Sequence, residues 1–120
     1  IQGTVVKGQS IGSRIGYPTA NIKITNKEQL VPMNGVYSVN LKIGRLRKKG
    51  ICNIGTKPTI KNDNKVSIEV HLINEQINLY NKQVNVEFEY FIRKEKKFNN
   101  YKDLSNQIKK DIEKLKSEEN

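Results

Sequence analysis

A chain of 120 residues, 35% of them hydrophobic, suits one domain with a single core, and the run 1–120 is read as that domain. One cysteine, Cys52, excludes an internal disulfide framework. No signal-peptide pattern occurs and no apolar run nears the roughly 20 residues of a membrane span, so a cytoplasmic protein off the membrane is expected. The formal net charge of +10 points to an anionic partner, while aromatics at 7% of the chain, with none alternating with the basic residues, rank nucleic acid below a small polyanion such as ATP.

Thr4 to Lys7 is a short β-branched run and reads as the first strand. Next comes Gly12-Ser13-Arg14-Ile15-Gly16-Tyr17-Pro18-Thr19-Ala20-Asn21. Its glycines let backbone amides close around a phosphate, and Arg14 offers a planar cationic fork. Thr19 and Asn21 are two residues apart, so on a strand both oxygens face one way, a pair suited to Mg²⁺ that keeps most of its water. A plain surface turn uses the same residue types. No Gly-Lys-Ser/Thr loop is present.

Thr19 to Thr25, Val36 to Leu41, Ile51 to Ile54, Val66 to Leu72 and Val84 to Tyr90 continue the strands, with Gly44-Arg45 as a hairpin turn. The basic residues Lys42, Arg45, Arg47, Lys48 and Lys49 surround that tip, where solvated charge also protects sheet edges. About six strands, spanning about 1–92, predict an antiparallel barrel or sandwich. Asn53 to Thr59 reads as a rigid turn. Leu104, Ile108, Ile112 and Leu115 then recur at helical spacing, predicting a helix over about 100–117, capped by Asn99 or Asn100 and fraying from Ser117. Its apolar stripe needs a partner, either the side or the open end of the barrel.

Glu69 stands between Ile68 and Val70, on the strand face shared by Ser67 and His71. Two readings stay open: a solvated polar stripe, or a carboxylate in a polar cavity acting as a base. His71 is the only histidine and has no second ligand spaced for zinc. Cys52 reads as a small buried hydrophobe. Arg93, Lys96 and Phe98 could line a planar ligand, or form a salt-bridged loop with Phe98 anchoring the helix.

Together these segments resemble the riboflavin kinase family over nearly the whole chain. Gly16-Tyr17-Pro18-Thr19-Ala20-Asn21 is similar to its Gly-Phe-Pro-Thr-Ala-Asn signature, and Glu69-Val70-His71-Leu72 to its Glu-x-His segment. Gly35-Val36-Tyr37, Asn53 to Thr59, Leu79-Tyr80 and Arg93 to Phe98 match further blocks. The resemblance implies a six-stranded antiparallel Greek-key β-barrel with a C-terminal helix. It implies transfer of the γ-phosphoryl of ATP to the ribityl 5′-hydroxyl of riboflavin, giving FMN and ADP. Glu69 would be the catalytic base. Gly8, Arg14, Thr19, Asn21, Leu72, Asn74 and Tyr80 would hold the nucleotide, partly through backbone. Thr19 and Asn21 would take Mg²⁺, and Arg93, Lys96 and Phe98 would border the flavin.

The chain departs from the family pattern at Ser13, where many members have arginine and the cationic role passes to Arg14; at Asn81, where the family has glycine; and at Asn74 to Ile77, which lacks Asp-Phe. Many members carry an adenylyltransferase half ahead of the kinase, so the expectation is a monomeric kinase domain of such a protein, forming FMN but not FAD. The alternatives are a barrel that binds flavin or nucleotide without turnover, and a basic nucleic-acid-binding barrel.

Overall fold

The computed structural model describes residues 1–6, 17–58, 64–73 and 78–118. Among the described residues six strands, β1 (Gln2–Val6), β2 (Thr19–Ile24), β3 (Gly35–Ile43), β4 (Leu46–Pro58), β5 (Asn64–Leu72) and β6 (Gln83–Arg93), precede a helix, α1 (Tyr101–Glu118). The strands close in the order β1-β2-β5-β4-β3-β6, and every pairing is antiparallel. β3, β4 and β5 follow one another as neighbours, and β6 returns beside β3, which is Greek-key connectivity. The expected barrel with a C-terminal helix is thus the observed fold.

Alternation builds the interior. Val5, Ile22, Val39, Leu41, Cys52, Ile54, Ile68, Val70, Leu72, Val84 and Val86 are buried together inside the barrel. Burying an aliphatic side chain of this size is worth roughly 1.5–3 kcal/mol. Gly44 takes φ 59° in the two-residue turn between Ile43 and Leu46, and Asn81 takes φ 67° before β6. Asn81, where the family has glycine, thus adopts the left-handed conformation that asparagine tolerates.

Several strands outrun the apolar runs that announced them. β3, β4 and β6 pair along their length, and across their outer surface Arg47 meets Glu87 at 3.1 Å and Lys49 meets Glu89 at 2.8 Å. The turn expected at Asn53 to Thr59 is instead strand as far as Pro58, paired with β5 without interruption from Gly50; Thr59 lies outside the described residues.

The helix begins where a reciprocal cap forms. The Asp103 backbone N–H donates to Asn100 Oδ1 at 2.8 Å, and the Asn100 side-chain Nδ2 donates back to the Asp103 carboxylate at 3.2 Å. The helix runs to Glu118, past the fraying expected from Ser117. Its stripe of Ile108, Ile112 and Leu115 packs on Val36, Ile51 and Ile92, on the outer side of the barrel.

Candidate active site

Directly opposed residues of an antiparallel pair point to the same side of the sheet. Register therefore lays out the outer face in rows. One row runs Asn21, Glu69, Asn53, Val36, Arg93 across β2, β5, β4, β3 and β6. The next runs Thr19, His71, Ile51, Ser38, Tyr90. A register shift between Val36 and Tyr37 separates Arg93 from Tyr90 by three positions instead of two.

The helix and the segment before it roof part of these rows and enclose a cavity of about 460 Å³. The sheet contributes Asn53, Glu69, His71 and Arg93, and the roof contributes Lys96, Phe98, Tyr101 and Leu104. The volume lies within the roughly 300–1,000 Å³ common for small-molecule sites. Apolar walls with a few convergent polar groups suit a planar, partly polar ligand. Glu69 is half-buried here, so it is a cavity wall rather than part of a freely solvated stripe. The Ser67 hydroxyl approaches its Oε1 at 3.5 Å.

The turn into β2 is fastened to the end of β5. His71 Nδ1 and Thr19 Oγ1 share a hydrogen bond of 2.9 Å, Thr19 Oγ1 lies 3.3 Å from the Tyr17 carbonyl, and the Leu72 amide donates to the Pro18 carbonyl at 2.9 Å. Burial pushes the His71 pKa below its ordinary value; Arg93 pushes the same way, while Glu69 and Asp111 oppose. Burial, and secondarily the charge of Glu69, pushes the Cys52 thiol up to about 12, so Cys52 is the inert buried group expected.

On the opposite wall Arg93 is already engaged. Its Nε and Nη2 donate to Asp111 of α1 at 3.0–3.2 Å, and Gln107 donates to the same carboxylate at 3.1 Å. Asp111 is 3% exposed. The Arg93 guanidinium also lies 6.0 Å from the Phe98 ring centre, and Lys96 Nζ lies 5.8 Å from it. At Gly55, on the outer face of β4, the Glu95 carboxylate of the roof segment lies over the strand in the space that a Cβ would enter.

The residues singled out from sequence thus divide. Glu69, Arg93, Lys96 and Phe98 line one cavity, and Thr19 and Asn21 stand beside it on β2, opposed to His71 and Glu69. Leu72 points into the barrel core at 1% exposure, and its amide is taken by Pro18, so neither its side chain nor its N–H faces the site. Tyr80 is 45% exposed, in the turn that packs on β1 away from the cavity. Gly8, Arg14 and Asn74 lie outside the described residues. Among the described residues no cluster of three His, Cys, Asp or Glu could hold a metal. Asp111 and Asn53 had no assigned role from sequence. A signal for Asp111 existed: a carboxylate among Ile108, Ile112 and Leu115 on the apolar stripe needs a buried partner.

The sequence model of Flavokinase, riboflavin kinase, matches residues 1–118. The bifunctional riboflavin kinase/FMN adenylyltransferase of Bacillus subtilis is 41% identical over 113 residues, covering 92% of this chain and 35% of that protein. The protein of the same name from Haemophilus influenzae is 43% identical over 119 residues, covering 98% and 37%. An RNA-binding riboflavin kinase of Bacillus subtilis is 36% identical over 114 residues, covering 93% and 47%. A crystal structure of a Streptococcus pneumoniae chain named a macrolide-efflux protein is similar with a TM-score of 0.84 at 31% identity, covering 93% of this chain and 36% of that one. No helix among the described residues is long and apolar enough to cross a membrane. The chain spans little more than a third of the length of the bifunctional relatives it matches.

Proposed function

The chain belongs to the riboflavin kinase family, and from that premise we propose that it transfers the γ-phosphoryl group of ATP to the ribityl 5′-hydroxyl of riboflavin, releasing FMN and ADP. The observation that carries the reading is the position of Glu69. It forms a wall of the cavity bounded by Arg93, Lys96 and Phe98, and it is directly opposed to Asn21 on the strand that also bears Thr19. Glu69 therefore stands where a flavin-sized pocket meets the strand with phosphate-side donors.

In this reading the cavity holds the flavin, with Phe98 supplying a ring face and Lys96 a charge at its rim. Arg93 keeps its fork on Asp111 and serves as a wall that fixes the helix, rather than as a free hydrogen-bond donor to the ligand. Glu69 accepts the hydrogen bond of the 5′-hydroxyl, aims its oxygen at the γ-phosphorus, and takes the proton as the new O–P bond forms and the bond to ADP breaks. Thr19 and Asn21 face the nucleotide, and the family resemblance assigns Gly8 and Arg14 to the same ligand. Leu72 acts only indirectly, by clamping Pro18, and Tyr80 offers an exposed ring at the rim of the nucleotide side.

Thr19 and Asn21 supply two neutral oxygens and no carboxylate. That donor set suits Mg²⁺ arriving with nucleotide phosphates and not Mg²⁺ alone. The ion would neutralise phosphate charge. The second activity of the bifunctional relatives is not ascribed to these residues.

The test is chromatography of a mixture of pure protein, riboflavin, ATP and Mg²⁺. FMN formation that saturates with both substrates is expected, without FAD. A folded protein that binds riboflavin and forms no FMN would make this a non-catalytic flavin barrel. FAD among the products would contradict the restriction to the kinase step. Because one relative is named RNA-binding, titration with an oligonucleotide belongs beside it. Affinity that collapses steeply with salt would favour the nucleic-acid reading.

A further inference from the structure

Thr19 opens β2 directly after the glycine-rich stretch, with only Tyr17 and Pro18 between it and Gly16. The end of β5 holds this point twice, through Leu72 on the Pro18 carbonyl and through His71 on the Thr19 hydroxyl. Thr19 and His71 are directly opposed in the β2–β5 register. The imidazole is 6% exposed, and Thr19 is its one hydrogen-bond partner among the described residues. An apolar side chain could fill that space without the desolvation cost of a ring nitrogen. What a histidine adds is the bond to Thr19.

A hydroxyl without a fixed partner rotates to suit its surroundings. Nδ1 at 2.9 Å is the shorter of the two contacts of the Thr19 hydroxyl, the other being the Tyr17 carbonyl at 3.3 Å, and it holds the side chain in one rotamer before any ligand arrives. His71 also forms part of the cavity wall, two positions along β5 from Glu69. We infer that His71 is a positioning residue: it fixes the Thr19 hydroxyl, and with it the exit of the glycine-rich stretch, in the arrangement that receives the nucleotide phosphates and their cation. This rests on the kinase reading, in which Thr19 contacts that unit. His71 acts through Thr19 and touches neither the phosphoryl group nor the attacking oxygen.

The test compares two amides by calorimetric titration with Mg-ADP, which needs no turnover. In His71→Asn the amide sits near the place of Nδ1 and keeps the bond to Thr19. In His71→Gln it sits near the place of Nε2 and loses it. His71→Gln is expected to weaken Mg-ADP binding by about 10–100-fold, the usual loss when the partner orienting a ligand-binding group is removed. His71→Asn is expected to stay close to wild type. Adding His71→Gln to Thr19→Val should cost little more, because His71 acts only through Thr19. Equal weakening by Asn and Gln, or fully additive losses in the double variant, would overturn the inference.

If His71→Gln does not fold, nitrogen NMR of the His71 ring in Thr19→Ser and Thr19→Val reads the same bond. A shifted Nδ1 signal only in Thr19→Val supports the inference, and identical signals overturn it. A wild type that binds Mg-ADP but forms no FMN removes the kinase reading and leaves the Asn–Gln comparison to decide the role of His71. A wild type that does not bind Mg-ADP overturns both.

Discussion

Ile68, Val70 and Leu72 of β5 point into the barrel and are at most 3% exposed, whereas Ser67, Glu69 and His71, each one residue away, point outward, Glu69 and His71 into the cavity that the helix helps to wall. The inner set is defined by volume and apolarity alone. The outer set takes its meaning from what lies above it. Without a roof, Glu69 would be an ordinary solvated carboxylate like those that extend β6, where Glu89 accepts from Lys49 and Ser38. With the roof in place it borders a cavity. The roof is held by Arg93 on Asp111 and by Lys114, which donates to the Ile92 carbonyl at 3.3 Å. The same strand thus faces the core on one side and a roofed cavity on the other, and a helix later in the chain makes the difference.

Substitutions can break this division. The largest expected effect is on the outer face: Glu69→Gln should lower turnover by about 10²–10⁴, the range for loss of a general base, while the melting temperature stays near wild type. Ile68→Ala should do the reverse, costing about 2–5 kcal/mol in urea denaturation with activity per folded molecule retained. A large rate loss in folded Ile68→Ala would show that the two faces are not separable.

Asp111→Ala tests the roof. Removing one partner of a buried pair leaves the other charge uncompensated, and because Arg93 keeps some contact with water the cost should fall near the low end of the usual range, about 3 kcal/mol. Riboflavin affinity should fall with it, since the helix forms one side of the cavity. Retained affinity by fluorescence titration would place the flavin elsewhere.

Cys52 provides a pH test of the inner face. Its folded pKa is raised to about 12 from an ordinary 9.0, so the folded state holds the proton more tightly than the unfolded chain. The linked stability is complete below pH 9.0 and is lost as pH rises toward 12. Cys52→Ala should flatten the decline in stability over that window, and the wild-type thiol should resist a thiol reagent at pH 8 until the protein unfolds. Prompt labelling of the folded protein would contradict its burial. The smallest expected effect is that of Glu89→Gln. Its lowered pKa comes first from the Lys49 hydrogen bond, but both side chains are about one-third exposed, so the loss should stay within about 0.2–1 kcal/mol.

Much of this arrangement was legible in the sequence. Strict alternation from Val66 to Leu72 and from Val84 to Phe88 defines the inner face until a register shift turns Tyr90 outward, Gly44-Arg45 marks the hairpin, and the period of Leu104, Ile108, Ile112 and Leu115 marks the helix. What alternation cannot carry is the roof. A polar face over solvent and a polar face under a helix have the same pattern, and only the packing of Ile108 on Ile51 and Val36 separates them. For the same reason the resemblance could place Arg93 beside the flavin but not on Asp111, because that pairing joins a strand end to a helix 18 residues away. Leu72 illustrates the opposite case. Its alternation with Ile68 and Val70 already put its side chain on the inner face, and the structure keeps it there.

The central claim is that Glu69, beneath the helix, aims and deprotonates the alcohol. Its most direct test is a single-turnover rapid-quench measurement of FMN formation by Glu69→Gln with saturating riboflavin and Mg-ATP, beside wild type. The account predicts that both ligands still bind and that phosphoryl transfer itself is slowed by about 10²–10⁴. Transfer at the wild-type rate would contradict it.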